Sequence, residues 1–123
     1  ANSIPWCLAN VMKYLIRHKA KNGRQDLDKA ASYARLYSEK LRDETIHPSV
    51  VIARDVSFQS LMEMAEANGC TEGGKRILAT VCVILQCCGG VSGDNTHRAM
   101  LSQSLAEQIE RFAKIAYPGG VGS

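Results

Sequence analysis

The sequence contains few aromatic residues and no long apolar run, and both absences limit the fold. Trp6 is the only tryptophan, beside four tyrosines and two phenylalanines among 123 residues. A core with so few rings must be built from Leu, Ile, Val, Met and Ala, which favours packed helices over a β-sandwich. The longest apolar run, Ile77 to Leu85, is too short to cross a bilayer, and no leader-like segment opens the chain. We therefore expect no membrane partner and a cytoplasmic location.

A complete set of disulfides is also excluded, because the five cysteines cannot all pair within one chain. Three of them stand in apolar sequence and two are adjacent, unlike the even, loop-rich spacing of a secreted disulfide framework. We expect reduced thiols. A zinc set of Cys70, Cys82, Cys87 and His97 can be written down, but the chain has no Cys-x-x-Cys pair, so no metal site is predicted.

The net charge of +3 is unevenly distributed, since residues 1–44 hold nine Lys and Arg against five Asp and Glu. Within this part five basic residues follow one another without an intervening acid: Lys13, Arg17, Lys19, Lys21 and Arg24. Such a cluster attracts phosphate-bearing ligands. It lacks the interleaved aromatic residues of a single-strand platform, so we do not expect nucleic acid as a partner. A solvated turn that only keeps the protein soluble is the alternative interpretation.

Apolar spacing predicts an antiparallel helical hairpin in residues 1–44. Ser3 can cap a first helix over residues 4–22 with Pro5 in its first turn, and Gly23 can end it in a left-handed cap. A second helix over residues 25–43 follows. Its predicted buried positions are Leu27, Ala30, Ala34, Tyr37 and Leu41. The alanines allow the two helices to approach closely.

The rest of the chain predicts an irregular linker and a three-helix module. Residues 45–56 break the helical period around Pro48, and they fit either a short strand or a crossing linker. Ser57 opens a third helix with Phe58, Leu61, Met62 and Ala65 facing inward. Residues 75–88 are apolar almost all round, which indicates a central helix and leaves a buried strand as the alternative.

A last helix follows the loop 89–97, with Asp94 or Asn95 as its cap. Its predicted inward positions are Leu101, Leu105, Ile109, Phe112 and Ala116. The whole chain is thus predicted as one all-α domain of about five helices. Its parts are the hairpin 1–44, the linker 45–56, the C-terminal helices 57–117 and a disordered tail, 118–123.

Polar side chains share one face on each helix of the predicted hairpin. Helical spacing groups Asn10, Lys13, Tyr14 and Arg17 on the first helix, and Asp26, Lys29 and Tyr33 on the second. The combined pattern over residues 10–41 is Asn-x-x-Lys-Tyr-x-x-Arg, a lysine-rich turn with Gly23, then Asp-Leu-x-Lys-Ala-x-x-Tyr. It resembles a family of small phage-encoded helical proteins known as nucleotide kinase-like.

This resemblance implies nucleotide binding and, most concretely, phosphoryl transfer to a nucleoside monophosphate with Mg²⁺ and ATP. Lys13, Arg17 and Lys29 would hold phosphates. Asp26 would be the catalytic carboxylate that holds Mg²⁺ or orients the acceptor. Tyr14 and Tyr33 would flank a base or bind a sugar, with Asn10 on the same polar stripe.

Two alternatives stay open for the same residues. In the first, Arg17 and Asp26 only lock the turn as an exposed ion pair, worth about a kilocalorie per mole or less. In the second, the chain is a non-catalytic protein that sequesters a nucleotide signal or blocks a host enzyme through an oligomeric surface. A homo-oligomer is expected with either function.

Two further segments carry weaker signals. Gly69 to Arg76, "GCTEGGKR", satisfies G-x-x-x-x-G-K, but Arg76 replaces the hydroxyl residue that a phosphate loop needs and a helix precedes it. We expect a helix–helix turn there, with an anion site at a helix N-terminus as the alternative. His97 and Arg98 are not needed for capping and are secondary candidates for a ligand or subunit contact. His18, a lone histidine in polar sequence, predicts no function.

Overall fold

The computed structural model describes residues 2–19, 21–43, 49–52, 58–88 and 95–118. They form five helices and one two-stranded sheet: β1 Asn2–Pro5, α1 Trp6–Arg17, α2 Arg24–Arg42, β2 Ser49–Ile52, α3 Phe58–Ala67, α4 Glu72–Cys88 and α5 Asn95–Ala116. The predicted all-α class is confirmed. None of the helices in these ranges is long and apolar enough to span a membrane.

The start of the predicted hairpin needs a correction, because residues 2–5 are a strand and not a helix. Ser3 and Pro5 lie in β1, which pairs antiparallel with β2 so that Asn2 faces Ile52. The β-branched run of β2 favours an extended backbone. A proline is tolerated because both strands of a two-stranded sheet are edge strands. Of the two alternatives for the linker, the short strand is therefore confirmed.

The turn between α1 and α2 also differs from the prediction in its boundaries. α1 ends at Arg17, and the Gly23 amide donates to the His18 carbonyl at 2.8 Å. Gly23 has φ of +58° and precedes α2, so the left-handed residue begins the second helix and does not cap the first. The antiparallel hairpin itself is present.

α2 is the central helix, packed against α1 on one side and α5 on another. The Ser102 hydroxyl donates to the Ala34 carbonyl at 2.7 Å, and the Ser38 hydroxyl donates to the Ala99 carbonyl at 2.8 Å. These buried bonds, four residues apart on α2 and three apart on α5, show that the two helices run antiparallel. All five predicted buried positions of α2 are buried.

The inward positions predicted for α3 and α5 are confirmed only in part. Phe58 is 55% exposed and Ala116 is exposed, and each is the terminal residue of its helix. Leu61, Leu105 and Ile109 are buried. α4 is a helix, so the buried-strand alternative is wrong. The predicted cap Asp94, the start of the third helix at Ser57, most of the loop 89–97 and most of the tail lie outside the described residues.

Candidate functional site

The two polar faces predicted from helical spacing meet between α1 and α2. The Tyr14 and Tyr33 ring centroids are 6.0 Å apart, with their planes inclined by only 11°. The Trp6 ring meets the Tyr33 ring edge-on at a centroid distance of 5.2 Å. Such offset-stacked and edge-to-face arrangements are the favoured geometries of aromatic pairs. The tyrosine cluster comprises these rings and the cations around them: Trp6, Lys13, Tyr14, Arg17, Lys29 and Tyr33.

Three cations surround the ring of Tyr14. Lys13 Nζ and Arg17 Cζ each lie 4.7 Å from the ring centroid, and Lys29 Nζ lies 5.5 Å from it. A tyrosine face attracts cations at this distance. The Lys13 and Lys29 side chains are exposed, and neither forms an ion pair with a carboxylate in the described part of the chain. The cluster therefore combines an aromatic stack with positive charge that is open to solvent.

Asp26, the predicted catalytic carboxylate, is fully buried beneath the turn. Its Oδ1 accepts from Arg17 Nη2 at 3.3 Å, and its Oδ2 accepts from the Asn22 backbone amide at 3.2 Å. The Asn22 side-chain amide adds a longer bond of 3.5 Å to Oδ1. Three donors thus occupy both carboxylate oxygens and tie the end of α1 to the start of α2.

This geometry fits the alternative in which the ion pair locks the turn, with one correction. The pair is not exposed, because the Asp26 side chain is 0% exposed and that of Arg17 only 31%. A buried carboxylate that loses its partner is far more costly than a broken surface pair. We therefore interpret the contacts of Asp26 as structural, since they join the end of α1 to the start of α2.

The remaining predicted site residues are not at the centre of the cluster. The Asn10 side-chain amide donates to the Trp6 carbonyl at 3.0 Å, a contact within α1. His97 and Arg98 lie at the start of α5, beside the C-terminal half of α2. The hairpin turn instead contacts Tyr117, which directly follows the opposite end of α5. The fold does not bring these two residues to the turn.

The "GCTEGGKR" turn uses its lysine and glycines for internal contacts. Lys75 Nζ lies 2.7 Å from Glu66 Oε1 and 3.5 Å from Glu72 Oε1. The hydrogen bond to Glu66 raises the pKa of Lys75, and the same bond lowers the pKa of Glu66. A Cβ on Gly73 would lie 2.7 Å from the Phe112 ring, and one on Gly74 would overlap Cys70 Sγ. These contacts support a helix–helix turn.

His18 is the buried residue that sequence reasoning missed. It is 1% exposed, and its Nδ1 lies 2.8 Å from the Tyr117 hydroxyl. Burial lowers its pKa, neighbouring Lys19 lowers it further, and Asp26 acts in the opposite direction. The sequence-based prediction that His18 lies in polar surroundings was wrong. Helical spacing indicates the burial of His18. Leu15 follows the buried Val11 by four residues, and His18 follows the buried Leu15 by three, so all three share one helix face.

Cysteine chemistry does not contribute to the cluster. Cys7, Cys70 and Cys82 are free thiols, and burial raises the pKa of each above its usual value. A thiol with a raised pKa is a poor nucleophile at neutral pH. Within the described ranges, no three His, Cys, Asp or Glu side chains come together as a set of metal ligands.

Comparison with known proteins gives a family match over a segment that includes the cluster. Residues 2–35 match the model of a protein family of unknown function (DUF3310). The match contains every residue of the tyrosine cluster and Asp26. The curated proteins and the solved structures that we compared gave no match.

Proposed function

We propose that this chain binds a nucleotide at the tyrosine cluster. A planar base would pack against the Tyr14 and Tyr33 rings, and the phosphates would be held by Lys13 and Lys29. The observation that supports this most directly is the placement of three cations within 5.5 Å of one tyrosine ring. Base stacking on an aromatic side chain contributes about 1–3 kcal/mol, and it needs no particular base.

Lys13 and Lys29 are better phosphate ligands than Arg17. The two lysines are exposed and have no carboxylate partner among the described residues, so a phosphate does not have to displace a carboxylate from them. Arg17 already donates to Asp26, and its guanidinium lies over the Tyr14 ring, with Cζ 4.7 Å from the centroid. Lysines on flexible stems suit phosphate groups because they act as mobile point charges.

Binding without turnover is the version of the proposal that the geometry supports best. The family resemblance favours a kinase, which needs a carboxylate to hold Mg²⁺ or to orient the acceptor. Asp26 does not fit this role, because it is buried and both of its oxygens accept hydrogen bonds from Arg17 or Asn22. Phosphoryl transfer from Mg-ATP to a nucleoside monophosphate is the second candidate, resting on the resemblance. The favoured version would sequester a nucleotide in a bacterial or phage-infected cytoplasm.

Self-association is part of this proposal. Large apolar side chains are exposed on several elements, including Phe58 and Met64 of α3 and Ile115 of α5, the last of them 79% exposed. Exposed apolar surface is a common feature of subunit contacts. Light scattering on the protein as it elutes from a size-exclusion column should give a mass of at least twice 13.4 kDa. A monomer at all concentrations would remove the oligomer from the proposal without affecting the nucleotide site.

The proposal is tested by calorimetric titration with nucleoside mono-, di- and triphosphates. The Lys13→Gln/Lys29→Gln variant should lose at least about tenfold in affinity, or about 1.4 kcal/mol. Arg111→Gln/Lys114→Gln removes the same charge from α5 and should bind as the wild type does. Equal affinity in all three proteins would remove the tyrosine cluster as the site.

Turnover is measured separately, with Mg-ATP and each monophosphate, by mass spectrometry of the recovered nucleotides. Sequestration predicts that every nucleotide is recovered unchanged. Formation of a nucleoside diphosphate would instead make the kinase the correct version.

A further inference from the structure

A second basic site lies at the hairpin turn, outside the tyrosine cluster. Its centre is a cavity of about 430 Å³ whose lining includes Lys19, Lys21, Gly23, Arg24 and Tyr117. None of these residues belongs to the cluster. The Asp26 carboxylate lies between the two sites, since it binds Arg17 of the cluster and Asn22 of the turn.

Tyr117 forms a fixed wall of this cavity. Its hydroxyl is 2.8 Å from His18 Nδ1, and its carbonyl accepts from Arg24 Nη1 at 3.2 Å. A Cβ on Gly23 would come within 3.2 Å of the Tyr117 ring, so the ring closes over a residue without a side chain. The same bond to Tyr117, with Asp28 Oδ1 3.6 Å from Arg24 Nε, holds the Arg24 side chain in place. The Tyr117 ring and the Arg24 guanidinium are therefore held in position without a ligand.

The charge of the cavity is positive and largely uncompensated. Lys19 and Lys21 are exposed, and neither pairs with a carboxylate in the part of the chain that the structure describes. α2 begins beside the cavity at Gly23, where no side chain caps the helix. The first turn of α2 carries the buried Asp26 carboxylate, so the lysine side chains, and not the helix dipole, supply the positive charge here.

We propose that this cavity is a second phosphate site, which takes a phosphomonoester or pyrophosphate group. The chemistry is that of a phosphate, because the site supplies two ammonium groups with no carboxylate partner among the described residues and a guanidinium held by the Tyr117 carbonyl. It offers no stack for a base, since the Tyr117 ring lies against Gly23 and its hydroxyl is bound to His18. The site is independent of nucleotide binding at the tyrosine cluster.

The test is an NMR titration with inorganic pyrophosphate at constant ionic strength. The Gly23 amide reports on the cavity, and the indole N–H of Trp6, the only tryptophan, reports on the cluster. We expect the Gly23 signal to shift and saturate. In Lys19→Gln/Lys21→Gln the affinity should fall at least about tenfold, as for loss of charge-assisted contacts. Arg111→Gln/Lys114→Gln, which removes the same charge from α5, is the matched control and should keep the wild-type affinity.

Exposed lysines can be replaced without loss of the fold, which melting curves of each variant would confirm. Equal affinity in Lys19→Gln/Lys21→Gln and the wild type would overturn the proposal. So would a Gly23 shift that never saturates, because it would indicate ionic screening and not a site. A Gly23 shift that is lost in Lys13→Gln/Lys29→Gln but kept in Lys19→Gln/Lys21→Gln would assign pyrophosphate to the cluster and also overturn it.

Discussion

The two glycine-containing turns of this chain, around Gly23 and around Gly69–Gly74, look alike in sequence but differ in what their charges contact. At the first turn Lys19 and Lys21 have no carboxylate partner in the described ranges, and a cavity remains open. At the second, Lys75 lies between two glutamates, and Phe112 and Cys70 fill the space beside the glycines. We therefore expect a glycine–lysine turn to bind an anion only where its lysines lack a carboxylate partner and a cavity remains beside the turn.

The two turns are also neighbours in space. A Cβ on Gly69 would lie 3.6 Å from Lys19 Cγ, and one on Gly74 would lie 3.8 Å from His18 Nε2. His18 in turn binds Tyr117, whose ring covers Gly23. Changes in one turn should therefore be measurable in the other through His18.

The largest effect is expected at the first turn, from Arg17→Ala. This change leaves the buried Asp26 without its cation, and breaking a buried pair costs about 3–5 kcal/mol. Urea denaturation should show this loss in the free energy of unfolding. The exposed Lys13→Ala serves as the control and should change it by less than about 0.5 kcal/mol. Equal stability of the two variants would mean that the turn does not depend on the Asp26 contact.

A smaller effect is expected at the second turn, from Gly74→Ala. The added methyl group overlaps Cys70 Sγ, and overpacking of this kind costs about 1–3 kcal/mol. The melting temperature should fall although alanine is the better helix former. Adding Cys70→Ala to this variant removes the overlapping sulfur and should restore part of the loss. A melting temperature of Gly74→Ala equal to that of the wild type would show that the second turn also has room for a methyl group.

The contact between the turns should depend on pH. His18 is buried as the neutral ring, so its pKa in the folded protein is below its value in the unfolded chain. The unfolded chain then binds the proton first, and the free energy of unfolding should fall as the pH drops below about 6.5, by at most about 1.4 kcal/mol per pH unit. Stability is fully retained above that pH. Denaturation of the wild type and His18→Gln between pH 8 and 5, roughly the range in which histidine titrates, is the measurement. The same dependence of the free energy of unfolding on pH in the two proteins would contradict this prediction.

Lys75→Ala should have the smallest effect on stability. Lys75 and its partner Glu66 meet at the surface, where solvent screens the pair. Only a small change in melting temperature is expected, and no effect on nucleotide binding at the tyrosine cluster. A loss of nucleotide binding in Lys75→Ala would move the anion site to the turn that we interpret as structural.

Helical spacing predicted what depends on local sequence. It grouped Lys13, Tyr14 and Arg17 with Lys29 and Tyr33, and it predicted the five buried positions of α2. It could not predict that Asp26 is buried, because that depends on how Asn22 folds back over the carboxylate. The contact of His18 with Tyr117 joins residues 99 apart in the chain, so no local pattern indicates it. Strand β1 was missed for the same reason, since its partner β2 lies more than forty residues away.

The central claim is that the open cations of the hairpin bind nucleotide, whereas the paired lysine of the second turn does not. It is tested most directly by calorimetric titration of one nucleotide into the wild type, Lys13→Gln/Lys29→Gln and Lys75→Ala proteins. The account predicts at least about a tenfold loss of affinity in the double variant alone. Unchanged binding in the double variant, or a loss only in Lys75→Ala, would contradict it.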